Sequence, residues 1–180
     1  MNLFDRNFKE IITAEFASIV GGLIAGTILS VYTGKILFIP GMLILLPGFL
    51  DMRGNISGSF AARLSSGLFL GVVDPNKFNA KIIRGNLVAS FFLAIIISLV
   101  LGLVAFLFTY LVFDIFAPKL ILLALIAGAI ANAIEIPLTL VATFFIFRRG
   151  YDPNNIIGPI ITSTGDVVSI AALLIALIII

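Results

Sequence analysis

Long apolar runs separated by short polar clusters set the pattern of this chain, and the runs are of membrane length. A bilayer core of about 30 Å needs about 20 apolar residues in helical form. The pattern predicts five such helices, over approximately residues 13–33, 36–73, 86–115, 119–147 and 154–179. The breaks are Lys35, then Asp74-Pro75-Asn76-Lys77 to Arg84, then Asp114 to Lys119 around Pro118, then Arg148-Arg149-Gly150. Ahead of the first run, Met1 to Ile11 carries Asp5, Arg6, Lys9 and Glu10 and reads as a surface segment too short to fold alone. The first run is too long, and too poorly flanked by a cleavage site, for a removable signal peptide. The second run would be about 55 Å long as one straight helix. Pro40 and Pro47-Gly48 therefore predict a single crossing that is broken or kinked, a backbone tolerated only where it lines protein or a watery cavity.

Polar residues recur within these runs on single helical faces. In the last run Asn155, Gly158, Thr162, Asp166 and Ser169 fall within an arc of about 80°. Asp152 as N-cap and Pro153 at the first helical position put Asp166 about 20 Å along the axis, near mid-membrane. In the second run Asp51, Asn55, Gly58, Ala62 and Ser66 share a face, with Arg53 and Arg63 expected to point elsewhere. In the fourth, Gly128, Asn132, Glu135, Thr139 and Thr143 do the same. The first run has Glu15, Ser18, Gly22 and Gly26 on one side, and Gly22-x-x-x-Gly26 predicts a close helix contact. The third run has few polar residues and reads as structural. Asp-Pro-Asn occurs at Asp74 and again at Asp152, the same helix-start chemistry used twice.

Composition turns this pattern into a class. The 180 residues are 61% hydrophobic and 11% charged, whereas charged residues make up about a quarter of a soluble domain. The fold class is all-α integral membrane protein, one transmembrane domain over residues 1–180 with no soluble regulatory domain. A net charge of +2, spread over loops, argues against a nucleic-acid partner. The basic residues give orientation instead. Arg6, Lys9, Lys77, Lys81, Arg84, Arg148 and Arg149 gather on one side, and Lys35 and Lys119 on the other. The positive-inside rule then predicts five crossings of the cytoplasmic membrane, with the N-terminus in the cytoplasm and the C-terminus outside.

A carboxylate at mid-membrane costs several kcal/mol at least and needs a cation, a partner or water. Asp51, Glu135 and Asp166 are expected at one depth on three crossings, each among small, amide or hydroxyl residues, which describes a cation path. With no cysteine and no histidine, bound metal meets only oxygen, which favours hard cations. Mg²⁺ keeps several waters, so a wide oxygen-lined passage suits it better than a tight cage. Five helices give little wall for a pore, and a two-fold homodimer would bring two copies of Asp166 to one axis. An arginine lodged on Asp166 would count against this reading.

Two motifs carry a family likeness. Pro47-Gly48-x-x-Asp51-x-x-Gly54-Asn55-x-x-Gly58, followed by Ala62-Arg63-Leu64-Ser65, and Asp152-Pro153-Asn154-Asn155-x-x-x-Pro159-x-x-Thr162-Ser163-x-x-Asp166, together resemble the membrane domain of MgtE and the eukaryotic solute-carrier magnesium transporters. The likeness covers nearly the whole chain as one five-helix unit. It implies transport of Mg²⁺ or another divalent cation through a homodimeric pore lined by the second and fifth helices. It implies Asp166 as the central ion-binding group, with Thr162 and Gly158 helping through backbone oxygen. Asn155, Asp51, Asn55 and Glu135 complete the candidate metal-site residues. Arg53 and Arg63 are candidate counter-ions to Asp51, which would weaken Asp51 as a ligand. MgtE proteins usually carry large cytoplasmic domains ahead of the pore, whereas only about a dozen residues precede the first run here. The alternatives are a scaffold subunit of a membrane complex and, on the pieces Ala62-Arg63, Gly67 and Asp74, a CDP-alcohol phosphotransferase-like enzyme; the reading favoured is not an enzyme.

Overall fold

The computed structural model describes residues 5–77 and 80–180. Those residues form five helices and no strand: α1 (Arg6–Ile36), α2 (Met42–Phe69), α3 (Lys81–Phe113), α4 (Lys119–Arg148) and α5 (Pro153–Ile179). Four of them, α1, α3, α4 and α5, are long and apolar enough to cross a membrane. The fifth, α2, has comparable length and carries Asp51, Arg53 and Arg63.

Two boundaries differ from the sequence expectation for a physical reason. Residues 6–11 are not a separate surface segment but the first turns of α1, because the Asp5 carboxylate accepts the Phe8 N–H at 2.9 Å and caps the helix there. Met1–Phe4, the rest of that expected segment, lie outside the described residues. The break expected at Pro47 falls earlier. Residues 37–41 form a turn with Gly41 at φ +85°, and α2 then runs unbroken through Pro47. Gly41 is required twice: its φ suits glycine, and a Cβ there would meet Thr109 of α3 and Leu120 of α4. At 28 residues α2 is about 42 Å long, close to its neighbours.

The helices pack as α2, α3, α4 and α5 around a shared apolar core, with α1 laid on the outside of α5. Small residues set the approach. The buried side of α3 is Ser90, Ala94, Ser98, Gly102, Ala105 and Thr109, a stripe that lets backbones come close where lipid gives no hydrophobic drive for association. Gly102 lies against the backbone of Ile121, and Gly128 against Ser98. The outer side of α3 bears Phe92, Ile96, Leu103 and Phe108, all exposed as a lipid-facing side is. On α1 the contact side is Glu10, Ala14, Gly21 and Ala25, with Gly21 against Ser163. Gly22 and Gly26, expected to make that contact, face open space one residue out of register.

The two Asp-Pro-Asn sequences diverge in use. Asp152 caps α5 by accepting the Asn154 N–H at 2.8 Å, with Pro153 as first helical residue. Asp74 accepts the Asn76 N–H at 2.9 Å in the same way, yet α3 starts only at Lys81, so this carboxylate closes a turn and not a helix. That N–H, helped by Lys77 Nζ at 3.3 Å, holds the Asp74 carboxyl below the usual aspartate range. The Arg148 guanidinium ties this loop to the end of α4 by donating to Pro75 O.

Candidate functional site

The polar faces read from sequence end up in two different places. That of α4 turns inward: Gly128, Asn132, Glu135, Thr139 and Thr143 are all buried. Thr139 and Thr143 donate their hydroxyls to the carbonyls of Glu135 and Thr139, at 2.8 and 2.7 Å, which satisfies them within the helix. Those of α2 and α5 turn outward side by side. Asp51, Asn55, Ala62 and Ser66 on α2 are exposed, as are Gly158 and Thr162 on α5. The result is a polar, acid-bearing strip on a bundle whose remaining outer surface is dominated by Phe, Leu, Ile and Val.

Behind that strip lies the feature that sequence periodicity missed. Arg53 is wholly buried. Its position on α2 is two residues, about 200°, from Asp51, so it points into the bundle while Asp51 points out. There its Nη1 comes within 3.2 Å of Glu135 Oε1 on α4. Its Nη2 donates to Asp166 Oδ1 on α5 at 3.1 Å and to Thr162 O at 3.3 Å, and Nη1 donates to Ile161 O at 3.3 Å. Gly165 makes this possible, since a Cβ at that position would overlap the guanidinium.

Arg53 is therefore not a counter-ion to Asp51. Asp51 instead accepts from Asn55 Nδ2 at 3.0 Å, four residues along the same face. Nor does Arg63 reach Asp51. It donates to Asn86 Oδ1 at 3.0 Å and Ser90 Oγ at 2.9 Å on α3. One buried cation thus bridges two of the three acids, Glu135 and Asp166, which fixes them at one depth. Asp51, two residues from Arg53, lies about 3 Å away along the α2 axis on the outer face.

The two bridged acids are held differently. The Asp166 side chain is 26% exposed, with a true hydrogen bond to Arg53. Glu135 is fully enclosed, and its approach to Arg53 lacks hydrogen-bond alignment. Among the described residues no hydrogen-bond donor reaches either Glu135 oxygen, and Arg53 Nε is also without an acceptor.

The remaining candidates have local partners. Gly158 O accepts the Thr162 hydroxyl at 3.0 Å. Asn155 does not face the Asp166 level. Its Nδ2 donates to Glu10 Oε2 at 3.0 Å and Asn7 Oδ1 at 3.3 Å on α1. The same Glu10 accepts from Arg6 at 2.8 Å and from the Asp152 N–H at 3.3 Å. Asn155 and Glu10 thus clasp the ends of α1 and α5. Among the described residues no three carboxylates converge as a chelating set. The sequence signal for Arg53 was its face: Arg53, Ile56, Ser57, Phe60 and Leu64 follow one inward stripe. An arginine on an apolar stripe needs an acid from another helix.

Comparison of the sequence with known proteins points to one family. A mouse protein, solute carrier family 41 member 3, is 27% identical over 140 residues, which are 73% of this chain and 28% of that protein. The chain thus spans little more than a quarter of the curated relative's length. The family model MgtE, described as divalent cation transporter, matches residues 46–176, from the second turn of α2 to the last turn of α5. With most of its length inside that match, including both outward polar faces and the buried Arg53 bridge, the chain belongs to the MgtE family of divalent cation transporters.

Proposed function

We propose that this chain carries Mg²⁺ across the cytoplasmic membrane through a passage formed where two copies meet, with Asp166 as the central ion-binding carboxylate. The observation that carries the reading is the outward strip of α2 and α5, where Asp51, Asn55, Gly158, Thr162 and the partly exposed Asp166 interrupt an apolar surface. Lipid rejects such a strip, because each charge at mid-membrane costs several kcal/mol. Water and a second copy of the same strip accept it, and a two-fold axis is the simplest closed way to supply both. In this reading α2 is a fifth crossing, with the N-terminus in the cytoplasm and the basic loops on that side.

An arginine on Asp166, the contact that counts against this reading, is present, and the reading rests on the part of the Asp166 side chain that it leaves exposed. Arg53 engages Oδ1, and the Asp166 side chain stays 26% exposed on the strip. Asp51 and Asn55 add oxygens on the outer face. A hydrated divalent ion, which needs few direct ligands, fits a wide strip of this kind. A membrane potential of 100 mV is worth about 4.6 kcal/mol to such an ion at about 2.3 kcal/mol per charge, enough to drive entry without a coupled ion.

Mg²⁺ flux into proteoliposomes, read by tracer or dye with Na⁺ or pH gradients imposed, tests the proposal. Asp166→Asn is expected to lose most of the flux while remaining folded. Unchanged flux would remove Asp166 from its role. Absence of flux from the purified wild-type protein would favour a scaffold subunit, in which the strip faces another protein. Subunit counting in nanodiscs tests the dimer, which an active monomer would refute.

A further inference from the structure

We infer that Arg53 is a specificity-determining residue: a tethered cation that occupies Asp166 until a divalent ion displaces it onto Glu135. This rests on Asp166 being the ion-binding carboxylate. The geometry has three parts. First, the guanidinium already sits between the two acids, so release from Asp166 needs a small rotation of a side-chain end and no helix movement. Second, Glu135 has the capacity to receive it, because neither of its buried oxygens accepts a hydrogen bond in the present arrangement and the Arg53 Nε–H is a donor without an acceptor. Third, the recess that admits the guanidinium exists only because residue 165 is glycine.

The consequence is a filter by charge. Electrostatic attraction to Asp166 scales with the charge brought at a given distance. A monovalent ion offers the carboxylate what the guanidinium already supplies, so exchange gains little. A divalent ion offers twice as much, while Arg53 recovers its lost partner by turning fully toward Glu135. Transport then selects for double charge without a rigid chelating cage.

Two variants remove the competitor in different ways. Arg53→Met combined with Glu135→Gln deletes the guanidinium and the acid that stores it, leaving Asp166 alone. Gly165→Ala leaves every charged group present and pushes the guanidinium off its seat, a shift that falls on the flexible end of a side chain. Both are measured for Mg²⁺ flux against Mg²⁺ concentration, with Na⁺ or K⁺ as competitor. Each is expected to lower the half-saturating Mg²⁺ about tenfold, the effect of losing roughly one hydrogen bond to a charged group, and to make the flux more sensitive to monovalent ions. Should the double variant fail to fold, Gly165→Ala decides alone, since alanine is the better helix former. Folded Gly165→Ala protein with unchanged, raised or unmeasurable half-saturation overturns the inference. If instead Asp166→Asn transports normally, the ion site itself is misplaced, which is a different failure from an Arg53 that does not compete.

Discussion

Arg53 sits where a guanidinium has no water and two acids share it, so single changes around it are expected to cost more than their size suggests. Arg53→Met alone leaves Glu135 and Asp166 facing each other without a cation, and removal of one member of a buried ion pair typically costs about 3–5 kcal/mol. Thermal unfolding in detergent is expected to show a strongly destabilised protein, with much of the loss recovered when Glu135→Gln is added. A double-mutant cycle with little coupling between the two positions would contradict the bridge. Glu15→Gln is the contrasting case. Glu15 is exposed on α1, and neither stability nor flux is expected to change measurably. At this scale the sequence was half legible. The position of Asp166 midway along α5 follows from counting residues after the Asp152 cap. The partnership does not, because an ion pair across three helices depends on rotations that one chain's periodicity leaves free. The inward stripe of Arg53 shows that a partner is needed, and Glu135 and Asp166 are the acids within its reach on other helices.

Helix against helix, register decides what a glycine does. Gly21 and Gly22 are neighbours in sequence, and only the first touches α5, where Ser163 leaves no space for a Cβ. Gly21→Leu is expected to destabilise by about 1–3 kcal/mol through overpacking. Gly22→Leu, facing outward, should stay within about 0.5 kcal/mol of wild type. Equal unfolding temperatures for the two variants would show the α1–α5 register to be different. The five elements and the α5 cap were readable because apolar run length and the Asp-Pro start are strong local signals. The contact face of α1 was not, since two overlapping small-residue spacings, one through Gly22 and Gly26 and one through Ala14, Gly21 and Ala25, differ by a single residue. The unbroken course of α2 was also hidden. Pro47 is the sixth helical residue, so it removes the one donor that Leu43 O would have met, and α2 continues through that single loss.

For the whole molecule the distinguishing quantity is which outer faces meet water. The absence of native cysteine makes this directly measurable, because any thiol introduced is the only one. Asn55→Cys on the α2 strip is expected to react with a charged, water-soluble thiol reagent in membranes. Ile96→Cys, exposed at mid-length on α3, should resist it because lipid excludes the reagent and the thiolate. Equal reactivity at both positions would mean that the strip does not line water. The dimer reading further predicts that oxidation or a short bifunctional reagent links two copies through Asn55→Cys, and not through Ile96→Cys.

The attachment of α1 also shapes how force enters the bundle. Nearly all of its packing is on α5, reinforced by the Glu10–Asn155 clasp and by Arg6 donating to Gly150 O in the connection before α5. Displacement of the amino-terminal helix is thus delivered by packing to the rod that bears Asp166, and by the short 37–41 turn to the start of α2. A partner or lipid that grips the long exposed flank of α1 would hold a lever whose far end is the carboxylate beneath Arg53's hand.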